Sequence, residues 1–221
     1  ALTFFALGTP FRLDIAKEGP TELLLDISYT TNAEKNELRP VSHSLLKMKL
    51  LFIYIETDGL PKYKYAPYTE PDLWCKITKM DWLLVDCACD WLILSEGCSS
   101  SGGEKPETTL KELGADLTAC DAVIAHNMHF TKTAILAACQ RFYVTGTLSV
   151  EPLQFWGSKK EICTMTRTKR FCGLTFKDST DLKFPKLSEL YFKLFNETFD
   201  EPVQVGYLAT CFQSLTDAGV I

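Results

Sequence analysis

Nothing in this 221-residue chain approaches the ~20 consecutive apolar residues that a membrane-spanning helix needs; the longest candidates are Leu50 to Ile55 and the opening Leu2 to Leu7. A membrane protein is not expected. Basic charge is also short, with 23 Lys and Arg against 28 Asp and Glu and a net charge of −5. The surface as a whole therefore cannot be the positive field of a non-specific DNA binder, and any contact with nucleic acid must be local.

Paired cysteine spacing is missing as well. The nine cysteines are odd in number and contain no C-x-x-C pair, which argues against a disulfide framework and a zinc knuckle alike. They read as reduced, intracellular thiols, with cytoplasm, nucleus and organelle undistinguished. The one close pair, Cys87 and Cys89, reads as two side chains in a turn between strands, because no partner ligands for a metal stand nearby. The opening ALTFFALGTPF lacks the basic start of a secretory signal, and a cleaved organellar presequence stays open. No internal repeat is present.

What remains is 46% hydrophobic and 23% charged, the composition of a globular domain large enough to bury a core without disulfides. Residues 1–49 hold short strand-like runs, Leu2–Leu7, Phe11–Ile15 and Leu23–Tyr29, separated by Gly8-Thr9-Pro10 and Gly19-Pro20. We read them as a β-rich extension, and residues 50–221 as the main domain. There the run LLFIYIE from Leu50 reads as a buried central strand that breaks at Asp58-Gly59-Leu60-Pro61. Ile77–Asp86 and Trp91–Ser95 read as a hairpin, and Cys98–Pro106 as a flexible loop. Leu110, Leu113 and Leu117 have helical spacing behind a Thr108 cap, ahead of a short buried strand at Asp121–Ala125. Further helices are expected over Thr131–Phe142, Leu187–Phe195 and Tyr207–Leu215. Strand, hairpin, then alternating helix and strand implies an α/β domain of three layers with a mixed sheet.

Three strings, taken in order, carry a resemblance: Glu56-Thr57-Asp58-Gly59-Leu60-Pro61, then Ile124-Ala125-His126-Asn127-Met128-His129-Phe130, then Lys183-Phe184-Pro185-Lys186-Leu187-Ser188-Glu189-Leu190-Tyr191. Together they resemble the DEDDh family of 3′-5′ exonucleases, the proofreading-exonuclease-like branch of the ribonuclease H fold. The likeness covers roughly residues 50 to 215. It implies a mixed central sheet flanked by helices, a cleft formed by Thr57, Leu60, His126, Asn127 and Phe130, and two Mg²⁺ ions held by four carboxylates beside a His base. Two dications about 4 Å apart clamp the attacking and leaving oxygens of a phosphodiester and acidify a bound water.

The resemblance places Tyr54 at the first Asp position, leaves Glu56 as the Glu, and places Thr131 and Gln204 at the other two carboxylates. No histidine follows His129. One carboxylate without a base cannot hold two dications, so no catalytic residue set, no metal and no cofactor are expected. The implied function is an inactive exonuclease-like subunit of a larger assembly, expected to be ribonucleoprotein, that touches other protein subunits and RNA or DNA. Two alternatives stand beside it. One is an active Mg²⁺-dependent exonuclease whose ligands have migrated to Asp58, Asp200 or Glu201, and the other is a module for protein contacts alone.

Three more groups of residues carry two readings each. His126 and His129 could ligate zinc with Cys139 or Glu56, or could tie the strand end to its loop. Lys159, Lys160, Arg167, Lys169 and Arg170, with Glu161 the one negative residue among them, form a strip suited to phosphate or to an acidic protein surface. Tyr63, Tyr65, Tyr68 and Trp74, interleaved with Lys62 and Lys64, offer either stacking or packing.

Overall fold

The computed structural model describes residues 47–100, 106–198 and 204–221. The strand-like runs of the N-terminal extension, and Asp200 and Glu201, lie outside the described residues.

Strand β1 (Lys49–Thr57) is built from the apolar run found in the sequence. Leu50, Leu51, Phe52 and Ile53 are all buried, as a strand covered on both faces requires. β1 pairs antiparallel with β2 (Ile77–Asp86), which pairs antiparallel with β3 (Leu92–Ser100) across a short turn at Cys87–Cys89. On its other side β1 runs parallel to β4 (Ala122–Ala125), and β4 runs parallel to β5 (Lys160–Cys163). The sheet order is β3-β2-β1-β4-β5, a mixed open sheet of five strands.

Helices cover both faces of this sheet. Odd-numbered β1 residues Leu51, Ile53 and Ile55 join Met80, Trp82 and Leu84 beneath α1 (Pro106–Ala119), α2 (Met128–Val144) and α3 (Pro152–Trp156). Even-numbered Leu50 and Phe52 join Val85, Ile124 and Ile162 beneath α6 (Leu187–Phe195) and α7 (Gln204–Asp217). Two one-turn helices, α4 (Thr164–Arg167) and α5 (Lys169–Cys172), follow β5. Side chains alternate across a strand, so the two cores are a direct reading of the β1 sequence.

Two expectations need correction. Cys98 to Ser100 are not loop: β3 continues through Ser100 because its backbone pairs with Lys79 to Asp81. Helix α1 begins at Pro106, so Thr108 lies inside its first turn rather than capping it. Pro at the first helical position carries no N–H to leave unsatisfied, which makes it a natural start. Lys49 is the first residue of β1 and pairs with Asp86. Within the basic strip, Lys160–Cys163 form β5, where Ile162 is buried between exposed Lys160 and Glu161 and the half-buried Cys163.

All nine cysteines are free. Burial pushes the thiols of Cys87, Cys139 and Cys211 up to about 12 and that of Cys120 up to about 11, which keeps them protonated and unreactive. Cys87 is buried and Cys89 exposed, so the close pair does not share an environment. Among the described residues no helix is long and apolar enough to cross a membrane.

Candidate functional site

The candidate cleft lies where β1 and β4 end. Asp58 closes the exit from β1: its backbone N–H donates to the Lys76 carbonyl at 3.0 Å, and its Oδ1 accepts the Lys76 N–H at 2.7 Å. This carboxylate, a candidate for a migrated metal ligand, is thus occupied in a turn. The Thr57 hydroxyl donates to the Gly59 carbonyl at 2.8 Å in the same turn.

The loop that follows divides the aromatic set. Trp74 is buried, with its indole N–H on the Ala66 carbonyl at 3.0 Å and its ring 5.9 Å from that of Phe130. Arg141 of α2 clamps this half of the loop by donating to the carbonyls of Pro71 at 2.6 Å and Trp74 at 2.7 Å. Tyr68 packs on the same core. The tip is different: Leu60 is 81% exposed, Tyr65 76% and Tyr63 51%. Packing therefore accounts for Trp74, Tyr68 and Phe130, and leaves Leu60, Tyr63 and Tyr65 available.

At the end of β4 the chain turns through Asn127, whose φ of 73° lies in the left-handed region that Asn tolerates better than most residues. His126, just before it, is held at both ring nitrogens. Nε2 lies 2.8 Å from the Pro185 carbonyl, which can only accept, so Nε2 carries the proton. Nδ1 then accepts the Thr164 hydroxyl at 2.9 Å. Burial lowers the His126 pKa from its ordinary value, against the raising influence of the Pro185 carbonyl and Glu189, so the ring stays neutral. His126 joins β4 to α4 and to the segment entering α6, and has no nitrogen left for a metal. His129 is exposed, and Cys139 is a buried thiol on the α2 face. The zinc alternative has no ligand set among the described residues.

The four positions that the resemblance assigns to carboxylates are placed as follows. Tyr54 and Glu56 lie on the α6/α7 face of β1, with Tyr54 packed at the margin of that core. Thr131 sits in the first turn of α2 and is 3% exposed; Gln204 is the first residue of α7 and is 9% exposed. Sequence reading missed the residues facing Tyr54 and Glu56 across the sheet. The register pairs Tyr54 with Asp81 and Glu56 with Lys79. Lys79 Nζ lies 3.1 Å from Asp81 Oδ2, 3.8 Å from Glu56 Oε1 and 5.9 Å from the centroid of the Tyr54 ring. Asp81 is a buried carboxylate whose pKa burial raises, with Glu56 adding to the rise and Lys79 opposing it. The alternation of β2 carried the signal, since Asp81 falls on a face that also holds Leu83 and Val85.

The residues present do not fit a pair of divalent ions. Magnesium takes oxygen ligands at about 2.0–2.1 Å, and here the acids of the β1–β2 face are engaged by an ammonium. Among the described residues no three His, Cys, Asp or Glu side chains group as metal ligands.

The basic strip is split by the fold. Lys159 Nζ donates to the carbonyls of Cys120 at 2.8 Å and Thr118 at 3.3 Å, holding the C-terminal end of α1. Lys160 is exposed on β5 at the sheet edge. Glu161 accepts from Lys132 at 2.6 Å and from the Trp156 indole at 3.1 Å. Arg167, Lys169 and Arg170 belong to α4 and α5, beyond the end of β5. Lys169 Nζ lies 4.7 Å from the centroid of the Phe184 ring, and both Phe184 and Phe176 are about half exposed. Lys183 is paired with Glu189 at 2.6 Å.

No protein-family model matches this chain, and no curated protein matches it either.

Proposed function

We propose that the chain is a catalytically inactive 3′-5′ exonuclease-like domain of the ribonuclease H fold, retained as a structural or nucleic-acid-contacting subunit of a larger, ribonucleoprotein assembly. A fold outlives its chemistry because core packing and site residues are separately encoded. The mixed sheet with helices on both faces is the architecture that the resemblance implies, and is compatible with this reading.

One observation carries it. Three of the four carboxylate positions hold uncharged side chains that packing has taken over: Tyr54 against the α6/α7 core, with Thr131 and Gln204 buried. A phenol on the central strand fills volume that a hydrated ion would need, and a buried Thr cannot supply charge. Asp58, the one described candidate for a migrated ligand, is held by the Lys76 backbone. That weakens the active-nuclease alternative.

Contact with nucleic acid is supported by Arg167, Lys169 and Arg170 on the consecutive helices α4 and α5, with Lys169 over the half-exposed ring of Phe184. Cations track phosphates, and aromatic faces stack on bases regardless of sequence. Incubation of the purified chain with single-stranded DNA or RNA in Mg²⁺ or Mn²⁺ tests the reading, with no removal of 3′ nucleotides above background expected. Removal that disappears in Glu56→Gln would overturn it.

A further inference from the structure

We infer that Lys79 is a resident cation of the cleft, supplying from the chain itself the positive charge that the acidic face of β1 and β2 requires, so that this face takes up no divalent metal. The inference deepens the proposed function and rests on it only in treating this face as the relic of a metal site.

Strand register brings the group together. Tyr54 and Glu56 are two apart on β1, Asp81 and Lys79 two apart on β2, and the antiparallel pairing sets the four as two adjacent cross-strand pairs on one face. The Lys79 ammonium stands diagonally nearest Asp81, at 3.1 Å, while still 3.8 Å from Glu56. It lies over the Tyr54 ring, whose face favours a cation. Only 9% of the Asp81 side chain is exposed, and 22% of the Lys79 side chain, so water screens their attraction poorly. A buried carboxylate is costly unless paired, and Lys79 is the partner that offsets part of that cost.

A divalent ion drawn to Glu56 and Asp81 would meet an ammonium already between them. It would have to displace Lys79 from both acids and pass the phenol of Tyr54. Each of these is a property of this chain's own side chains. Together they make Glu56, Asp81 and Lys79 one ion cluster, in which a single ammonium serves two carboxylates.

The test is the melting temperature of the full chain in millimolar Mg²⁺ or Mn²⁺ against EDTA, read for wild type, Lys79→Met and the double variant Lys79→Met/Asp81→Asn. Wild type should show no shift. Lys79→Met should melt lower in EDTA and recover by a cation-dependent rise of about 2–4 °C or more, as expected for a ligand that binds only the folded chain of this size. The double variant should lose that rise. A wild-type melting temperature that climbs with Mn²⁺ and stops doing so in Asp81→Asn would overturn the inference. So would a folded Lys79→Met indifferent to both ions. Should Lys79→Met not fold, Lys79→Gln gives the same comparison with an uncharged polar chain, and the wild-type arm needs no variant. Cation binding is read from stability and nuclease action from cleavage, so failure of this inference and failure of the proposed function are distinguishable.

Discussion

The indole of Trp82 occupies the space that a side chain at Gly97 would need. The two residues face each other across β2 and β3, and a Cβ placed on Gly97 would come within 2.0 Å of the Trp82 ring. The ring is fixed there by its N–H, which donates to Asp116 Oδ2 at 2.7 Å, the same oxygen that accepts the Ser95 hydroxyl at 2.7 Å. Helix α1 is thereby anchored to the hairpin through one carboxylate.

Gly97→Ala should therefore destabilise the chain by about 1–3 kcal/mol, the usual cost of overfilling a packed site. Thermal denaturation reads this as a drop of about 2–4 °C for each kcal/mol. Adding Trp82→Leu should recover part of the loss from the alanine, since a shorter chain leaves room for the methyl. An unchanged melting temperature in Gly97→Ala would contradict the packing described.

His126 should make stability depend on pH. Its folded pKa is lowered from 6.5 by burial, so the unfolded chain binds the proton more readily. The contribution is full above about pH 6.5 and is lost as pH falls through the lowered folded value. Urea midpoints across that range should fall less steeply in His126→Gln than in wild type. His126→Ala, which removes the partner of both Thr164 and the Pro185 carbonyl, should cost about 2–4 kcal/mol.

Asp81 carries the opposite sign. Its folded pKa is raised from 3.8, chiefly by burial, so the folded chain holds this proton more tightly than the unfolded one. Its favourable contribution is present below 3.8 and is lost as pH rises through the folded value. Asp81→Asn should consequently gain stability relative to wild type as the solution is taken from strongly acid to neutral. A difference between the two proteins that stays constant with pH would contradict the raised value.

The basic residues should separate into two groups. If the chain meets nucleic acid, replacing Arg167, Lys169 and Arg170 with Ser should lower affinity for single-stranded oligonucleotides evenly across sequences. It should also flatten the salt dependence by about 0.7–0.9 in slope for each phosphate left without its cation. Lys159→Met should leave binding unchanged and lower stability by about 0.3–1 kcal/mol, because its ammonium is spent on the end of α1. Equal loss of binding from Lys159→Met, or none from the triple variant, would contradict this division.

Much of the architecture is legible in the order of the amino acids. Four consecutive apolar residues from Leu50 mark a strand buried on both faces, and the hairpin, α2, α6 and α7 follow from period and breakers. The stretch Pro152–Cys172 is not legible in that way: α3, β5, α4 and α5 are each of four or five residues, too short to display a period. β5 is an edge strand that buries only Ile162 fully, so its charged residues conceal it.

The site divides along the same line. That Tyr54, Thr131 and Gln204 carry no carboxylate follows from residue identity and needs no coordinates to be read. What surrounds them depends on how the chain folds back on itself. Lys79 and Asp81 meet Tyr54 and Glu56 through the register of two strands separated by the loop from Asp58 to Lys76. His126 meets Thr164 and Pro185 across 38 and 59 residues. Periodicity is a property of neighbours along the chain, whereas charge balance and hydrogen bonding are settled among neighbours in space, and those are chosen by packing.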